Sequence, residues 1–443
     1  MQVQIARGLR YRHAAISDQL HRLELELSAE LPSLHLHPPV PKTPYLGVHE
    51  TGSSSIQVVS QPRTPLDFLW FIPSGGDARY LASPIGERAP TPAYLREVAV
   101  TADRLGFYGV LMPTGAGCAD AWITAASIAP FTERLKLLVA LRPGLTAPAE
   151  AVRQAAALDR LSNGRALLNV VTGGSPRMLA QDGIYLDHTE RYEQTAEFLD
   201  IWRKLARGDT VTQQGKYLSI TGGQLNFPFV QTPHAPVWFG GSSEIAREIA
   251  AEHVDVYLAW GEPPQQLKEV IDDVRARAAK RGRTIRFGLR IHFIVRETDD
   301  AAWAAAHDLI QHVSDAQIEQ FQAMLSKGSD SVGQARMQAL HKGSRDNLEL
   351  APNLWAGIGL VRTGAGTALV GSPDSIAERL QEYADIGIDT VIGSGYPHIE
   401  EAYRVAELLF PKLNLPNRSV EALPPVRPLL PPIAGQSAAG RVT

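Results

Sequence analysis

Apolar and polar positions follow two alternating patterns along the middle of the chain. Short apolar runs of strand length, such as residues 66–72 and 136–141, are separated by stretches whose apolar residues lie three or four positions apart. The first such stretch follows Thr91 and Pro92 and stops before Gly106, which is typical of a capped helix. Strands that alternate with helices predict an α/β fold with a parallel sheet.

Eight strands are predicted in this way, and helices separate most of them. They are expected at residues 66–72, 108–112, 136–141, 166–171, 237–239, 254–258, 286–295 and 390–392. Eight β/α units favour a (β/α)8 TIM barrel, although the pattern alone also allows a doubly wound sheet. The folded part exceeds the usual barrel of about 250 residues. We expect the surplus as two insertions near residues 172–235 and 297–365, at the C-terminal face of the barrel.

The two ends of the chain differ from its middle in proline content. Residues 1–66 and residues 411–443 each hold seven of the 31 prolines, and proline interrupts both helices and ladders. The predicted organisation is an N-terminal extension over residues 1–65, mostly irregular with one short amphipathic helix, a folded domain over residues 66–414 and a Pro-rich disordered tail over residues 415–443. The three arginines among the first 17 residues leave a mitochondrial transit segment open beside the plainer interpretation of an extended terminus.

Composition and charge exclude several classes of function. The 43 Lys and Arg residues against 47 Asp and Glu give a net charge of −4, which argues against a nucleic-acid partner. The single cysteine, Cys118, cannot form an internal disulfide or a zinc site of the Cys type. There is no apolar run of about 18 residues and no secretory signal. We therefore predict a cytoplasmic protein with no membrane partner and no metal.

The turn Gly240-Gly-Ser-Ser243 follows a predicted strand and precedes a helical pattern. Backbone N–H groups and the positive end of a helix dipole would meet at this turn, which is one way to hold a phosphate without a lysine. The alternative is an ordinary strand-to-helix turn in which Ser243 caps the helix. Neither the Rossmann glycine fingerprint nor a P-loop is present, so no dinucleotide site is predicted.

The predicted strand 286–295 carries two basic side chains on one face. Its alternation of two residues places Arg290 and His292 on the same side. Burying a guanidinium beside an imidazole is costly without an anion, so these residues predict an anion site. The alternative is an arginine paired with a barrel carboxylate and a satisfied core histidine. Arg362 lies in a glycine-rich loop, and Tyr396 and His398 follow the last strand, where barrel enzymes place their chemistry.

A series of ordered motifs resembles one known family. They are Trp70–Pro73, Gly109–Gly115, Leu158–Arg165, Asn169–Gly173, Asp187–Tyr192, Phe239–Ser243, Trp260–Pro264, Asp346–Glu349 and Asn353–Gly357. Together they are similar to the FMNH2-dependent alkanesulfonate monooxygenases, which belong to the bacterial-luciferase-like flavin barrels. The resemblance extends from about residue 66 to about residue 414 and leaves both ends outside it.

The resemblance implies a two-component enzyme for sulfur acquisition. A separate NAD(P)H:FMN reductase would supply FMNH2 as an exchangeable co-substrate, and this chain would use it with O2 to split the C–S bond of an alkanesulfonate into sulfite and an aldehyde. The flavin would carry the difficult chemistry while the protein orients it and excludes water. The family also implies a homo-oligomer, either a dimer or a tetramer.

Site residues follow from the same resemblance, position by position. The FMN phosphate end would be held by His188, Tyr192, Ser242 and Ser243, with Thr172 near the flavin. Arg290 and Arg362 would bind the sulfonate oxygens, and Cys118 would lie near flavin or substrate. His292 and Tyr396 would assist proton transfer or stabilise the peroxyflavin.

Four positions at the expected catalytic mouth depart from the family pattern. Gly75 stands where the family has a histidine, and Pro84 stands where it has an acidic residue. Ala116 and Ala119 replace an arginine and a glutamate that flank the cysteine. We therefore expect the chemistry to be retained and the choice of substrate to have changed. Two alternatives stay open, namely another luciferase-like oxidoreductase acting on a sulfone or using a deazaflavin, and an inactive flavin-binding paralogue.

Overall fold

The computed structural model describes residues 64–418, which contain fourteen strands and twelve α-helices; the predicted N-terminal helix and most of the Pro-rich tail lie outside this range. The strands are β1 (Asp67–Phe71), β2 (Gly109–Met112), β3 (Lys136–Leu141), β4 (Ala166–Val170), β5 (Val211–Gln214), β6 (Ser219–Gly223), β7 (Val237–Gly240), β8 (Val256–Trp260), β9 (Arg286–Arg290), β10 (His292–Val295), β11 (Glu349–Ala351), β12 (Leu354–Trp355), β13 (Ala368–Gly371) and β14 (Thr390–Ile392). The α-helices are α1 (Pro92–Leu105), α2 (Ala121–Ile128), α3 (Pro148–Leu161), α4 (Pro176–Gln181), α5 (His188–Ala206), α6 (Glu244–His253), α7 (Pro264–Lys280), α8 (Asp299–Leu309), α9 (Asp315–Gly328), α10 (Val332–His341), α11 (Pro373–Asp385) and α12 (His398–Arg404). Short 3-10 turns cover Ala129–Phe131, Gly357–Leu360 and Phe410–Lys412, and a π-helical turn covers Val405–Leu409.

Eight parallel strands close into a barrel in the order β1-β2-β3-β4-β7-β8-β9-β14 and back to β1. Closure joins the first strand to the last, with Asp67 opposite Thr390 and Leu69 opposite Ile392. The TIM barrel predicted from the spacing of the strands is therefore confirmed, and the doubly wound alternative is wrong.

The alternation of side chains along each strand divides the core into two parts. In β1, Leu69 and Phe71 point into the barrel, while Phe68 and Trp70 pack outward against the surrounding helices. Parallel strands covered by helices are buried on both faces, which explains their nearly continuous apolar sequences. The residue nearest the C-terminal end of each inner face therefore reaches the mouth of the barrel.

Helix α1 begins and ends where its sequence predicts. The Thr91 side chain accepts a hydrogen bond from the N–H of Tyr94, and Pro92 occupies the first turn. Gly106 adopts φ +82°, a left-handed conformation that glycine tolerates, and its N–H caps the last carbonyls. Local capping chemistry is sufficient to define this element.

The two insertions extend from the C-terminal ends of strands. The first follows β4 and contains α4, α5 and the antiparallel β5–β6 hairpin. The second follows β10 and contains α8, α9 and α10 before it returns through β11, β12 and β13. Segments of both, at residues 173–181 and 320–334, line the main cavity, so the predicted position of the insertions is confirmed.

One predicted strand is in fact two. Residues 286–295 were expected to form a single strand, but the chain leaves the barrel at Ile291. The N–H of Ile291 donates to the carbonyl of Ile392, and this is where the pairing with β14 ends. β9 pairs with β8 and β14 in the barrel, whereas β10 pairs with β13 in a separate four-stranded sheet. The two strands therefore pair with different neighbours. The alternation of apolar and polar residues cannot predict which neighbours a strand has.

The folded region continues slightly past the predicted boundary at residue 414. Asn417 donates to the Asp67 carboxylate at 2.7 Å, and the Arg418 guanidinium lies over the Phe410 ring. Among the described helices, none is both long enough and apolar enough to cross a lipid bilayer.

Candidate active site

A cavity of about 1260 Å³ opens at the C-terminal ends of the barrel strands. Its floor is the last inward-facing layer of the barrel, which includes Phe71 on β1, Asn169 on β4, Leu258 on β8 and Arg290 on β9. Barrel enzymes place their chemistry at this face. Drug-sized ligands commonly occupy pockets of about 300–1,000 Å³, so this cavity is larger than one such ligand commonly needs.

One side of the cavity, which we call the arginine wall, is formed by Phe71, Arg290, Arg362 and His398. Arg290 is buried and donates to the carbonyl of Ile291 at 3.0 Å and to the Ser394 hydroxyl at 2.9 Å. Its guanidinium also lies 4.8 Å from the centre of the Phe71 ring. Burial, and then the nearby charge of Arg362, lower the pKa of Arg290.

Arg362 approaches the same point from the second insertion. Its guanidinium lies 5.8 Å from the Phe71 ring centre and 5.5 Å from that of Tyr396. Burial lowers the pKa of Arg362, although Cys118 and Asp77 act in the opposite direction. Among residues 64–418, no carboxylate forms a salt bridge with either arginine. The predicted alternative of a barrel carboxylate paired with Arg290 is therefore not what the structure has.

His292 is close to the arginine wall but does not reach the cavity. It is fully buried, its Nδ1 lies 2.7 Å from the Ser394 hydroxyl, and its Nε2 lies 3.1 Å from the carbonyl oxygen of Ala365. Burial, followed by the charges of Arg290 and Arg362, lowers its pKa well below the ordinary value. Both ring nitrogens are occupied, so His292 can hold Ser394, and through it Arg290, in place.

His398 has the opposite arrangement, and the cavity reaches its side chain. Its Nδ1 lies 2.8 Å from Oδ1 of Asp77, and its backbone N–H donates to Oδ2 of the same carboxylate at 2.7 Å. Its Nε2 is buried and has no hydrogen-bond partner among the described residues. Tyr94 donates its hydroxyl to Asp77 as well. The imidazole is thus oriented from one side and free on the other.

The protonation of this pair follows from its surroundings. Burial raises the pKa of Asp77, but the hydrogen bonds that it accepts from His398 and Tyr94 outweigh that effect, and the net pKa is lowered. Burial lowers the pKa of His398, and this outweighs Asp77, which raises it. An ionised carboxylate only accepts hydrogen bonds, so Nδ1 of the neutral imidazole must carry the hydrogen. The lone pair is therefore on Nε2.

Tyr396 connects the two histidines. Its ring stacks on His292 with centroids 5.6 Å apart, and it meets His398 edge-on at 5.3 Å. Its hydroxyl is buried without a hydrogen-bond partner among the described residues. Tyr396 itself does not line the cavity, so its contact with the site runs through Arg362 and the two imidazoles.

Cys118 lines the cavity in the loop that follows β2. This loop is held against the residues after β1, because the N–H of Ala119 donates to the carbonyl of Ser74 at 3.0 Å. A Cβ on Gly75 would lie 2.7 Å from the carbonyl oxygen of Gly117 and 3.7 Å from the Cys118 sulfur. The space for a histidine at position 75 is thus filled by backbone, while Pro84 is exposed and does not line the cavity.

The opposite side of the cavity contains the turn Gly240–Ser243, which we call the phosphate turn. A Cβ on Gly240 would lie 2.6 Å from the carbonyl oxygen of Leu258. A Cβ on Gly241 would lie 2.6 Å from the side chain of Ala246. Only glycine therefore lets this backbone pass so closely. Ser243 caps α6 by accepting from the N–H of Ala246. Both interpretations of the sequence are compatible, since the same turn caps a helix and faces the cavity.

Polar groups beside the phosphate turn complete this side. Asn169 and Thr172 are buried and line the cavity, and Oδ1 of Asn169 has no partner within residues 64–418. Tyr192 also lines it. His188 does not; its ring packs 4.8 Å from that of Tyr192, so it supports a lining residue.

The structure brings seven of the ten predicted site residues to one cavity. They are Cys118, Thr172, Tyr192, Ser242, Ser243, Arg290 and Arg362. His188, His292 and Tyr396 lie one contact behind its surface. The prediction of site residues missed Asp77, Asn169 and the importance of His398. The only signal in the sequence was the position of His398 after the last strand.

Comparisons with known proteins agree with this fold. Residues 66–390 match the family described as luciferase-like monooxygenase. A long-chain alkane monooxygenase has a similar structure at 21% identity and TM-score 0.64, covering 80% of this chain and 91% of that one. An EDTA monooxygenase from Chelativorans sp. BNC1 is similar at 18% identity and TM-score 0.62, covering 79% and 93%. A riboflavin lyase with modified FMN and riboflavin is similar at 20% identity and TM-score 0.63, covering 78% and 91%.

At these identities the solved structures share the fold alone. The family match covers well over half of the chain, and the chain belongs to the luciferase-like monooxygenase family.

Proposed function

We propose that this luciferase-like monooxygenase is the oxygenating component of a two-component alkanesulfonate monooxygenase. It would use FMNH2 from a separate NAD(P)H:FMN reductase, and O2, to convert an alkanesulfonate into an aldehyde and sulfite. The observation that carries the proposal is the arginine wall. It presents two guanidiniums to one cavity, that of the buried Arg290 and that of the half-buried Arg362, and neither has a carboxylate partner among residues 64–418.

A substrate that carries a negative charge suits this wall better than a neutral one. Uncompensated cations in a buried site are costly, and a bound anion would remove that cost. A sulfonate offers three oxygens to the fixed donors of two guanidiniums. Both guanidiniums lie against Phe71. The ring of Phe71 would give the substrate carbon next to the sulfonate an apolar surface. A neutral sulfone would leave the arginines unpaired, which disfavours that alternative.

The other side of the cavity has the features that FMN requires. The phosphate turn offers backbone N–H groups, the Ser242 and Ser243 hydroxyls and the N-terminus of α6, all suited to a phosphate. Gly240 and Gly241 let this turn pack tightly against Leu258 and Ala246, which fixes the position of its backbone beside the cavity. The unpartnered Oδ1 of Asn169 is available to an N–H donor such as that of a flavin ring. When bound, the reduced flavin supplies the two electrons with which O2 is reduced.

The protein's own residues would bind, orient and shield the reactants. Arg290 and Arg362 would fix the sulfonate, and Cys118 and Phe71 would contact the substrate or the flavin between the two sides of the cavity. The two insertions would limit the access of water, which would otherwise consume the reactive oxygen species. Cytoplasmic location and a homo-oligomeric state, either dimer or tetramer, remain predictions.

Sulfite release tests this proposal directly. The purified protein is mixed with FMN, NADH, an FMN reductase and a series of alkanesulfonates of increasing length, and sulfite is measured with a thiol-reactive dye. We expect sulfite that depends on both the protein and the reductase. An absence of sulfite from every sulfonate, with FMNH2 binding intact, would contradict the proposal. Matched alkyl sulfones and a deazaflavin cofactor serve as controls for the alternative chemistry.

A further inference from the structure

We infer that His398, oriented by Asp77, is the general base of the reaction, and that His292 is a positioning residue. This inference rests on the proposed function, because it names the group that receives the proton from the sulfonated carbon. It reverses the expectation from the sequence, in which His292 assists proton transfer.

The two imidazoles differ in the number of nitrogens that are free to act. His292 uses Nδ1 for Ser394 and Nε2 for Ala365, and it does not line the cavity. His398 uses only Nδ1, for Asp77; its Nε2 is buried without a hydrogen-bond partner among residues 64–418, and the residue lines the cavity. A general base needs an accessible lone pair within hydrogen-bond reach of the proton it removes. Of these two residues, only His398 has a ring nitrogen that no other described group already engages.

The arrangement around His398 fixes both its tautomer and its direction. Oδ1 of Asp77 binds the ring of His398, and Oδ2 accepts both the backbone N–H of His398 and the hydroxyl of Tyr94. Trp70 donates its indole N–H to the His398 carbonyl at 3.1 Å. Because the Asp77 carboxylate accepts a hydrogen bond from Nδ1–H of His398, the lone pair on Nε2 points away from the carboxylate. An imidazole oriented by a buried carboxylate is the geometry by which enzymes prepare a histidine base.

The position of the base matches the place where a proton must leave. The His398 ring centroid lies 5.8 Å from that of Phe71, whose face both guanidiniums contact. A sulfonate held by Arg290 and Arg362 would therefore present its first carbon near Phe71 and His398. The same two positive charges help to keep His398 unprotonated and able to accept a proton.

The step balances in protons and electrons. The net reaction converts R–CH2–SO3⁻, O2 and reduced flavin into R–CHO, sulfite, oxidised flavin, water and one proton. The C–S electron pair leaves with sulfite, and one oxygen atom of O2 bonds to the carbon. The C–H electron pair becomes the second bond of the aldehyde carbonyl, and the proton passes to Nε2 of His398. The other oxygen atom leaves as water, with the two electrons supplied by the flavin.

The groups that face this imidazole determine its response to pH. They are Asp77, Arg290, Arg362, His292 and Tyr396 around the ring, with Tyr94, Arg88 and Glu400 behind the carboxylate. The base acts only when unprotonated, so turnover should fall as the pH decreases through the pKa of His398. Burial lowers that pKa, and the acidic limb of the profile should therefore lie below about 6.5, the ordinary value.

Variants of the two histidines separate the two roles. We expect His398→Gln to lower kcat by about 10²- to 10⁴-fold, the usual contribution of a general base, with KM for the sulfonate little changed and the acidic limb lost. His292→Gln should instead raise KM more than it lowers kcat, because Ser394 and Arg290 lose a support, and should keep the acidic limb. His234→Gln is the matched control, because His234 is also buried with an unpartnered Nε2 yet does not line the cavity.

Two further measurements complete the experiment. Asp77→Asn tests the orientation if His398→Gln does not fold; it should lower kcat and move the acidic limb to lower pH, because the charge that raises the pKa of His398 is gone. A sulfonate deuterated at its first carbon should show a larger isotope effect in His398→Gln than in the parent enzyme.

The outcomes distinguish this inference from the proposed function. Sulfite release that is equal in the parent enzyme and in His398→Gln, or a loss of the acidic limb in His292→Gln alone, would overturn the assignment of the base and leave the proposed function intact. No sulfite from the parent enzyme with any sulfonate would overturn both.

Discussion

The arginine wall and the phosphate turn face each other across one cavity and are built in different ways. The arginine wall depends on side chains from distant parts of the sequence, such as Arg290 bonded to Ser394 and His398 bonded to Asp77. The phosphate turn is made of four consecutive residues, two of them glycines that let the backbone pack against Leu258 and Ala246. Both suit anions, but the first uses full charges in a buried setting and the second uses amide dipoles at a helix end.

The difference teaches where specificity resides. An amide turn accommodates any phosphate that fits, and such a cofactor can be exchanged after each turnover. Two guanidiniums that face one cavity, with Arg290 held by hydrogen bonds to Ile291 and Ser394, impose both a charge and a position on their ligand. We therefore expect substitutions in the arginine wall to affect the sulfonate, and substitutions in the phosphate turn to affect the flavin.

The largest effect is expected from removing a guanidinium of the arginine wall. Arg362→Ala is the cleaner variant, because this side chain makes no hydrogen bond within residues 64–418, whereas Arg290→Ala also releases Ser394. Loss of one partner of a buried charge pair costs about 2–5 kcal/mol, or roughly 30- to 5,000-fold in kcat/KM. Sulfite kinetics measure this loss, and FMNH2 affinity should stay nearly constant.

Arg177→Ala is the control for this pair, since Arg177 lines the same cavity but is exposed at its rim. We expect it to alter kcat/KM only slightly. Equal loss of activity in all three variants would contradict the assignment of the sulfonate to the arginine wall and of the flavin to the phosphate turn. Loss of FMNH2 binding in Arg290→Ala and Arg362→Ala would contradict it as well.

A side chain at Gly75 should have the next largest effect. The Cβ of Gly75→Ala would lie 2.7 Å from the backbone oxygen of Gly117, so the Cys118 loop must shift. Overpacking of this kind costs about 1–3 kcal/mol of unfolding free energy, which urea unfolding can measure. Gly117→Ala is the matched control, because a Cβ there would meet nothing within 4 Å. Equal stability of both variants would show that the loop tolerates a Cβ at position 75.

Local features of the molecule could be predicted from the sequence. The caps of α1, the eight barrel strands and the phosphate turn were all predicted, because each is determined by residues close together in the chain. The alternation along 286–295 was also predicted, since Phe287, Leu289, Ile291, Phe293 and Val295 all join the outer core, but of Arg290 and His292 only Arg290 lines the cavity. The break at Ile291 was not, because it depends on partners about 75–100 residues away.

The same limit explains the errors in the candidate site. Asp77 and His398 are 321 residues apart in the sequence, and nothing near either residue indicates the other. His292 was correctly placed beside Arg290, but its two occupied nitrogens depend on Ser394 and Ala365. Proximity to the site could be predicted from alternation along a strand, whereas the free or occupied state of a ring nitrogen required the three-dimensional contacts.

Acid sensitivity should distinguish the buried arginine wall from the rest of the cavity. Burial lowers the pKa of both His292 and His398, so both are neutral in the folded protein and protonated in the unfolded chain below about pH 6.5. The unfolded state then binds more protons, and stability is lost as the pH decreases from 6.5 towards the lowered pKa values. Each histidine contributes up to about 1.4 kcal/mol per pH unit.

Urea unfolding at several pH values measures this slope in the parent protein and in His292→Gln. We expect the variant to be less stable at neutral pH but to lose less stability between pH 6.5 and 5. His188→Gln is the control, because His188 is only half-buried beside the phosphate turn. An equal slope in all three proteins would contradict a buried neutral imidazole at position 292.

The smallest effect is expected at the phosphate turn. Ser243→Ala removes the cap that accepts from the N–H of Ala246, at a cost of about 0.5–2 kcal/mol in stability. It also removes one hydroxyl from the turn, which corresponds to a FMNH2 affinity weaker by roughly 2- to 12-fold at about 0.5–1.5 kcal/mol per hydrogen bond. Fluorescence titration under anaerobic conditions measures the affinity. The control is Ser372→Ala, which removes the cap of α11 away from the cavity.

We expect saturating FMNH2 to restore the turnover of Ser243→Ala fully, whereas no flavin concentration should restore that of Arg362→Ala. Recovery of both variants by flavin would mean that the two sides of the cavity bind the same ligand.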